Sequence, residues 1–257
     1  MENSRMPVVF VGHGSPMNAI TDNPARTCWE ELGKKLPRPK AIVAISAHWT
    51  SQGTHVLKTD KNRQINDMYG FPKELYEISY APKSSPSLAD KVLSLLRDLG
   101  QEDPGWGIDH GVWVPLCSMY PEADIPVVMV STDMFAGPEG HFEVGKRLKP
   151  LRDEGVLIFC SGNVVHNLSR CDYEMEGGFD WADAFDHEIR DAITDGDFET
   201  PKNYRGIPGA RQAVQMPDHY FPLLTALGAA DQSDPVSVFN DYRELGALSM
   251  TSYLFGA

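Results

Sequence analysis

Basic tracts, paired cysteines and long apolar runs are all missing from this chain, and each absence removes a class of function. Lys and Arg total 23 against 36 Asp and Glu, a formal net charge of -13, and nowhere do the basic residues cluster. Phosphate backbones and anionic membranes are bound by clustered cations, so neither a nucleic-acid nor a membrane partner is expected. The four cysteines, Cys28, Cys117, Cys160 and Cys171, form no Cys-x-x-Cys pair and show no disulfide-like spacing. Free thiols in a reducing compartment are the expectation. No apolar stretch approaches the ~20 residues needed to cross a bilayer. The opening Met-Glu-Asn-Ser-Arg-Met-Pro lacks the basic and apolar regions of a signal peptide. A soluble, cytoplasmic protein is expected; subunit number has no signature in the sequence.

What is present is an alternation of apolar strand-like runs with amphipathic stretches, the pattern of a layered α/β domain. Val8 to Val11, Ala41 to Ser46, Val127 to Val130 and Val156 to Cys160 read as strands buried on both faces, as in a parallel sheet. Helices are expected from Cys28 to Leu36, behind the Ser84-Ser85-Pro86 start signal as far as Gly100, from Phe142 to Glu154, and around Trp181, Phe185, Ile189 and Ile193. A short helix is expected from about His219 to Leu227, then strands at Val236 to Phe239 and Ser249 to Phe255. From Gly196 to Met216 no period emerges, and a segment of that length inside a domain reads as a functional loop or lid. The fold class is α/β: one three-layer domain over residues 1–257, a mostly parallel central sheet flanked by helices.

Three of the eight histidines are expected where strands end. His13 stands between Gly12 and Gly14, His48 closes an apolar run, and His166 lies in the loop leaving Val156 to Cys160. The carboxyl ends of parallel strands line one edge, where ligands bind. Imidazoles converging there with open positions between them suit a reactive metal ion. His110, in a loop rich in Gly and Trp, is read as part of a pocket wall. From the residues alone, His219 is a first-turn helix residue with Asp218 as cap, and His55, His141 and His187 are surface or structural.

Five segments occur in order: Gly-His-Gly-Ser-Pro at 12–16, Ser-Ala-His-Trp at 46–49, Asp-His-Gly-Val-Trp-Val-Pro-Leu at 109–116, Ser-Gly-Asn-Val-Val-His-Asn-Leu at 161–168 and His-Tyr-Phe-Pro-Leu-Leu at 219–224. Together they resemble the DOPA-type branch of the class III extradiol ring-cleaving dioxygenases, relatives of the protocatechuate 4,5-dioxygenase catalytic subunit. The likeness runs from Pro7 to the C-terminus. It implies a non-haem Fe(II) enzyme that opens a catechol ring, such as that of 3,4-dihydroxyphenylalanine, beside its hydroxyls with O2. It makes His13, His48 and His219 metal ligands, and His166 an active-site base or a further metal contact. It brings His110 to the substrate and oxygen, to stabilise that oxygen or deliver a proton. The larger class completes its iron site with a glutamate, whereas this sequence offers His219. An all-histidine site also suits Zn(II), which can fill it as purified without supporting turnover. Trp49, Trp106, Trp113 and Tyr220 are candidate pocket walls, and Arg205 and Arg211 candidate partners for a substrate carboxylate. A chelatase of the sirohydrochlorin type explains His13 but not the segments around His110 and His219. The histidine set is also compatible with a zinc hydrolase, or with a non-catalytic metal-binding protein of the same fold.

Overall fold

The computed structural model describes residues 5–257; the first four, part of the segment that carries no signal-peptide pattern, lie outside the described residues. The strands are β1 (Val8–Gly12), β2 (Ala41–Ser51), β3 (Thr54–Leu57), β4 (Gly100–Asp103), β5 (Val127–Asp133), β6 (Val156–Gly162), β7 (Val236–Phe239), β8 (Arg243–Glu244), β9 (Leu248–Ser249) and β10 (Ser252–Phe255). The α-helices are α1 (Pro24–Lys35), α2 (Lys73–Tyr76), α3 (Pro86–Leu96), α4 (His110–Met119), α5 (Gly137–Leu148), α6 (Asp180–Thr194), α7 (Glu199–Lys202), α8 (Ala210–Ala213) and α9 (Phe221–Ala229). Eight strands make one sheet in the order β4-β3-β5-β2-β6-β1-β10-β7, and β8 pairs with β9 apart from it. The four central strands β5, β2, β6 and β1 run parallel. Antiparallel pairing enters where β3 meets β5 and where β10 and β7 extend the other side.

Successive side chains on a strand point to opposite faces, and the two cores divide accordingly. Val8, Phe10, Val43 and Ile45 pack with α3, α5, α6 and α9. Val9, Val11, Ile42 and Ala44 pack with Trp29 and Leu32 of α1 and with Val112, Trp113 and Leu116 of α4. Both faces are therefore covered, which makes three layers and explains the unbroken apolar runs of the central strands. Among the described residues no helix is long and apolar enough to cross a membrane.

Several elements differ from expectation. β2 runs on past Ser46 to Ser51, so His48 lies within the strand rather than at its end. Its pairing with β5 shifts register between Ile45 and Thr50, and His48 sits in that irregular stretch. The helix expected to stop at Gly100 ends at Leu96, where Arg97 takes φ 53°, and Gly100 instead opens β4. The segment around His110, read as a loop, is α4, with His110 as its first residue. The segment from Gly196 to Met216 is not a free loop: α7, a 3-10 turn at Tyr204–Gly206 and α8 occupy it, and Phe198, Tyr204, Ala210 and Ala213 are buried in the core.

Candidate metal and active site

The parallel strands deliver their C-terminal ends to one cavity of about 610 Å³, lined by His13, His48, His110, His166 and His219. Its volume falls in the ordinary range for small-molecule sites. His13 follows β1 directly, and Gly14 beyond it has φ 59°, a left-handed conformation that costs glycine little and lets the chain turn back at once. Asn18 Nδ2 donates to the His13 carbonyl at 3.0 Å and holds that turn. His166 lies four residues beyond β6; its backbone N–H donates to the Ala213 carbonyl at 2.9 Å, so the loop is pinned against α8. His219 is fixed through its own carbonyl, which accepts from the Asn163 backbone N–H at 2.8 Å.

The rings crowd together. His13 Nε2 and His48 Nε2 are 3.0 Å apart. One ring nitrogen from each of His13, His48 and His110 falls within 4.8 Å of the others. His219 has ring centroids 5.3 Å from His13 and 4.9 Å from His48, and it stacks face to face on His166 at 3.5 Å. All five histidines expected at the site therefore meet there. The histidines expected to be surface or structural lie elsewhere. His141 is buried, with Nε2 2.9 Å from the Asp133 carbonyl; His55 pairs with Asp103, and His187 with Arg243.

Behind the rings stands a layer of polar groups. Ser161 Oγ lies 3.0 Å from His13 Nδ1 and also donates to the Gly111 carbonyl. Asp67, in the loop between β3 and α2, reaches His110 and lies 3.4 Å from His48 Nδ1. No motif marked it, since its loop carries neither period nor pattern. Asp109 does not cap α4 with its side chain. It accepts from Ser46 Oγ at 2.6 Å and from Trp106 Nε1 at 3.0 Å. Burial, then the charge of Asp67, pushes the Asp109 carboxyl up to about 6.

Burial lowers the imidazoles of His13 and His48 well below the ordinary range, with the neighbouring histidines adding to it. Burial and then His219 lower His166 to about 3. Each of these three rings is thus neutral near pH 7, the form in which imidazole ligates a metal or accepts a proton. Burial acts to raise the Asp67 and Asp218 carboxyls, but His110 beside the first and His219 beside the second outweigh it and leave both lowered.

These residues fit a metal ion. Metal–imidazole bonds of ~2.0–2.1 Å place neighbouring ligand nitrogens roughly 3.0–3.4 Å apart, and the His13–His48 pair is at 3.0 Å. Both ring nitrogens of His219 are buried without a hydrogen-bond partner. Asp218 Oδ2 is 3.3 Å from its Nδ1 but not aligned for a bond. Buried polar atoms left without partners are costly, and a metal is one way to satisfy them.

The other expected contacts are not in the cavity. Trp49 and Trp106 stack on each other at 6.0 Å, and Trp113 and Tyr220 are core. The cavity's aromatic lining is Phe71 and Tyr173, with Met68, Leu168, Met216, Leu245 and Leu248 as its apolar walls. Neither Arg205 nor Arg211 lines it, and among the described residues its only carboxylates are Asp67 and Asp218.

Residues 6–256 match the family described as the catalytic LigB subunit of aromatic ring-opening dioxygenase. An Escherichia coli (strain K12) protein named 4,5-DOPA dioxygenase extradiol is 41% identical, covering 100% of this chain and 97% of its own. A Beta vulgaris protein of the same name is 37% identical over 99% of this chain and 98% of its own. The crystal structure of an uncharacterized Escherichia coli K12 protein superposes with a TM-score of 0.86 at 38% identity, covering 98% of this chain and all of that one. With a family match across nearly all its length and a histidine-lined cavity at the strand ends, this chain belongs to the LigB family of aromatic ring-opening dioxygenases.

Proposed function

We propose that this chain opens the ring of a catechol of the 3,4-dihydroxyphenylalanine type at the bond beside its hydroxyls, using O2, with Fe(II) held by His13, His48 and His219. The observation that carries the ligand set is the His219 ring, whose two nitrogens are buried and unpartnered beside the facing His13 and His48 nitrogens. His110 also brings a ring nitrogen within 4.8 Å of that pair, and with Asp67 at its Nδ1 its Nε2 stays free to face the metal or the substrate. Fe(II) there would supply Lewis acidity towards both catechol oxygens and one-electron exchange with O2, which redox-inactive Zn(II) in the same ligands would not.

The chain's own groups do the rest. Met68, Phe71, Leu245 and Leu248 give the aromatic ring an apolar bed that excludes water. His166, neutral because burial lowers it to about 3, has a lone pair to accept a hydroxyl proton. Ser161 at His13 Nδ1 leaves Nε2 of that ring for the metal. His110 lines the same cavity and meets the substrate from the first turn of α4.

The test is anaerobic loading of metal-free protein with Fe(II), followed by L-DOPA and air. Oxygen uptake coupled to a yellow product is expected, absent in the zinc form and in His13→Ala. No uptake with L-DOPA or a panel of simple catechols would overturn this reading in favour of a zinc hydrolase or a binding protein.

A further inference from the structure

Asp67 meets the first residue of α4 twice. Its Oδ1 accepts from the His110 backbone N–H at 3.0 Å, and its Oδ2 lies 3.0 Å from His110 Nδ1. We propose that Asp67 is a positioning residue that locks His110 into the tautomer with its proton on Nδ1, leaving Nε2 as an acceptor facing the cavity. This rests on the reading of His110 as a group that faces the substrate.

The geometry leaves little choice. Amides in the first turn of a helix have no acceptor within it, so the His110 N–H must find one outside. Asp67 Oδ1 is that acceptor, which fixes the plane of the carboxylate. An ionised carboxylate only accepts, so the proton between Oδ2 and Nδ1 belongs to the imidazole. When that imidazole is neutral it carries one N–H, and Nε2 is left with its lone pair. The neighbouring carboxylate, Asp109, cannot take over, because Ser46 and Trp106 already donate to its two oxygens. The consequence is an order of events: the His110 side chain accepts a proton from the cavity before it can donate one there.

Asp67→Asn tests this without changing the shape. Asparagine has a single oxygen; if that stays on the backbone N–H, its amide nitrogen faces Nδ1, which must then accept, and the proton moves to Nε2. Nitrogen-15 NMR of histidine-labelled, metal-free protein at about pH 8 reads the tautomer directly, with His110→Ala assigning the signals. Wild type is expected to show pyrrole-type Nδ1 and pyridine-type Nε2 for His110, and Asp67→Asn the reverse. In the Fe(II)-loaded enzyme, kcat is expected to fall about 10- to 100-fold in Asp67→Asn, with KM within about threefold. In the His110→Ala background the same change should cost at least about fivefold less than in the wild type, the remainder coming from the 3.4 Å approach of Asp67 to His48 Nδ1. A wild-type His110 protonated on Nε2 overturns the proposal, as does an undiminished effect of Asp67→Asn without His110. If Asp67→Asn does not fold, the wild-type spectrum still decides. Should the wild-type tautomer be as stated while no catechol is cleaved, the proposed function has failed and the lock has not.

Discussion

The histidines of this chain differ by what lies around each ring rather than by what precedes it in sequence. His13 and His48 turn their Nε2 atoms towards one another and a His110 ring nitrogen lies within 4.8 Å of the pair, whereas His141 turns its Nε2 to the Asp133 carbonyl and stacks on Phe221 at 4.2 Å. Burial lowers the His141 imidazole to about 4, against ~6.5 when unfolded. A histidine whose folded value is depressed contributes stability that is complete above the unfolded value and is lost as pH falls towards the folded one. Its share of the stability lost between pH 7 and pH 4.5 is then about 2–3 kcal/mol. His141→Gln keeps an N–H donor for Asp133 and removes the titration. Urea unfolding of the two proteins at several pH values is expected to show a flatter profile for the variant by that amount; identical profiles would mean that His141 does not titrate across this window.

Elements are placed here by close approach as much as by apolar area. All nine residues of α9 are buried, so the helix has no polar face and no amphipathic period to read. It crosses α5 backbone to backbone: a Cβ on Gly145 would sit 2.0 Å from the Thr225 carbonyl oxygen, and one on Gly228 2.0 Å from that of Phe142. Gly→Ala inside a helix ordinarily gains about 1 kcal/mol from propensity. Overpacking against rigid backbone costs about 1–3 kcal/mol and more where nothing can yield, so the steric term wins. Gly228→Ala is expected to be destabilised by at least about 1–2 kcal/mol in chemical denaturation; a stabilised variant would mean that the helices separate freely. The same crossing supports the site, because α9 begins two residues after His219.

At the scale of the molecule, the net charge of -13 and the cavity point the same way. Besides its histidines and Tyr173, the ionisable side chains lining the cavity are Asp67 and Asp218, with no Lys or Arg among the described residues. A catechol side chain bearing an ammonium meets Asp218 favourably, and one bearing only a carboxylate meets no cation. Dopamine and L-DOPA are therefore expected to exceed 3,4-dihydroxyphenylpropionate in kcat/KM by about tenfold at low salt, the gap narrowing as salt screens the charges. A preference for the carboxylate, or a ratio indifferent to salt, would remove charge as the discriminator.

Composition and apolar runs determined the fold class and the central strands, because burial on both faces is a local property of the chain; strand-end placement singled out His13, His48 and His166, whereas His219 reached the site only through the resemblance carried by the five segments. Short β3 and polar β4 were not legible, since four residues are too few to show a period and form strands only when a neighbour offers its edge. α4 read as a loop because its glycine and proline argue against a helix that packing nonetheless holds. The placement of His48 inside β2, the stacking of His219 on His166, and the reach of Asp67 to His110 were decided by tertiary structure alone. Each depends on distances between segments tens of residues apart, and no local pattern encodes such distances.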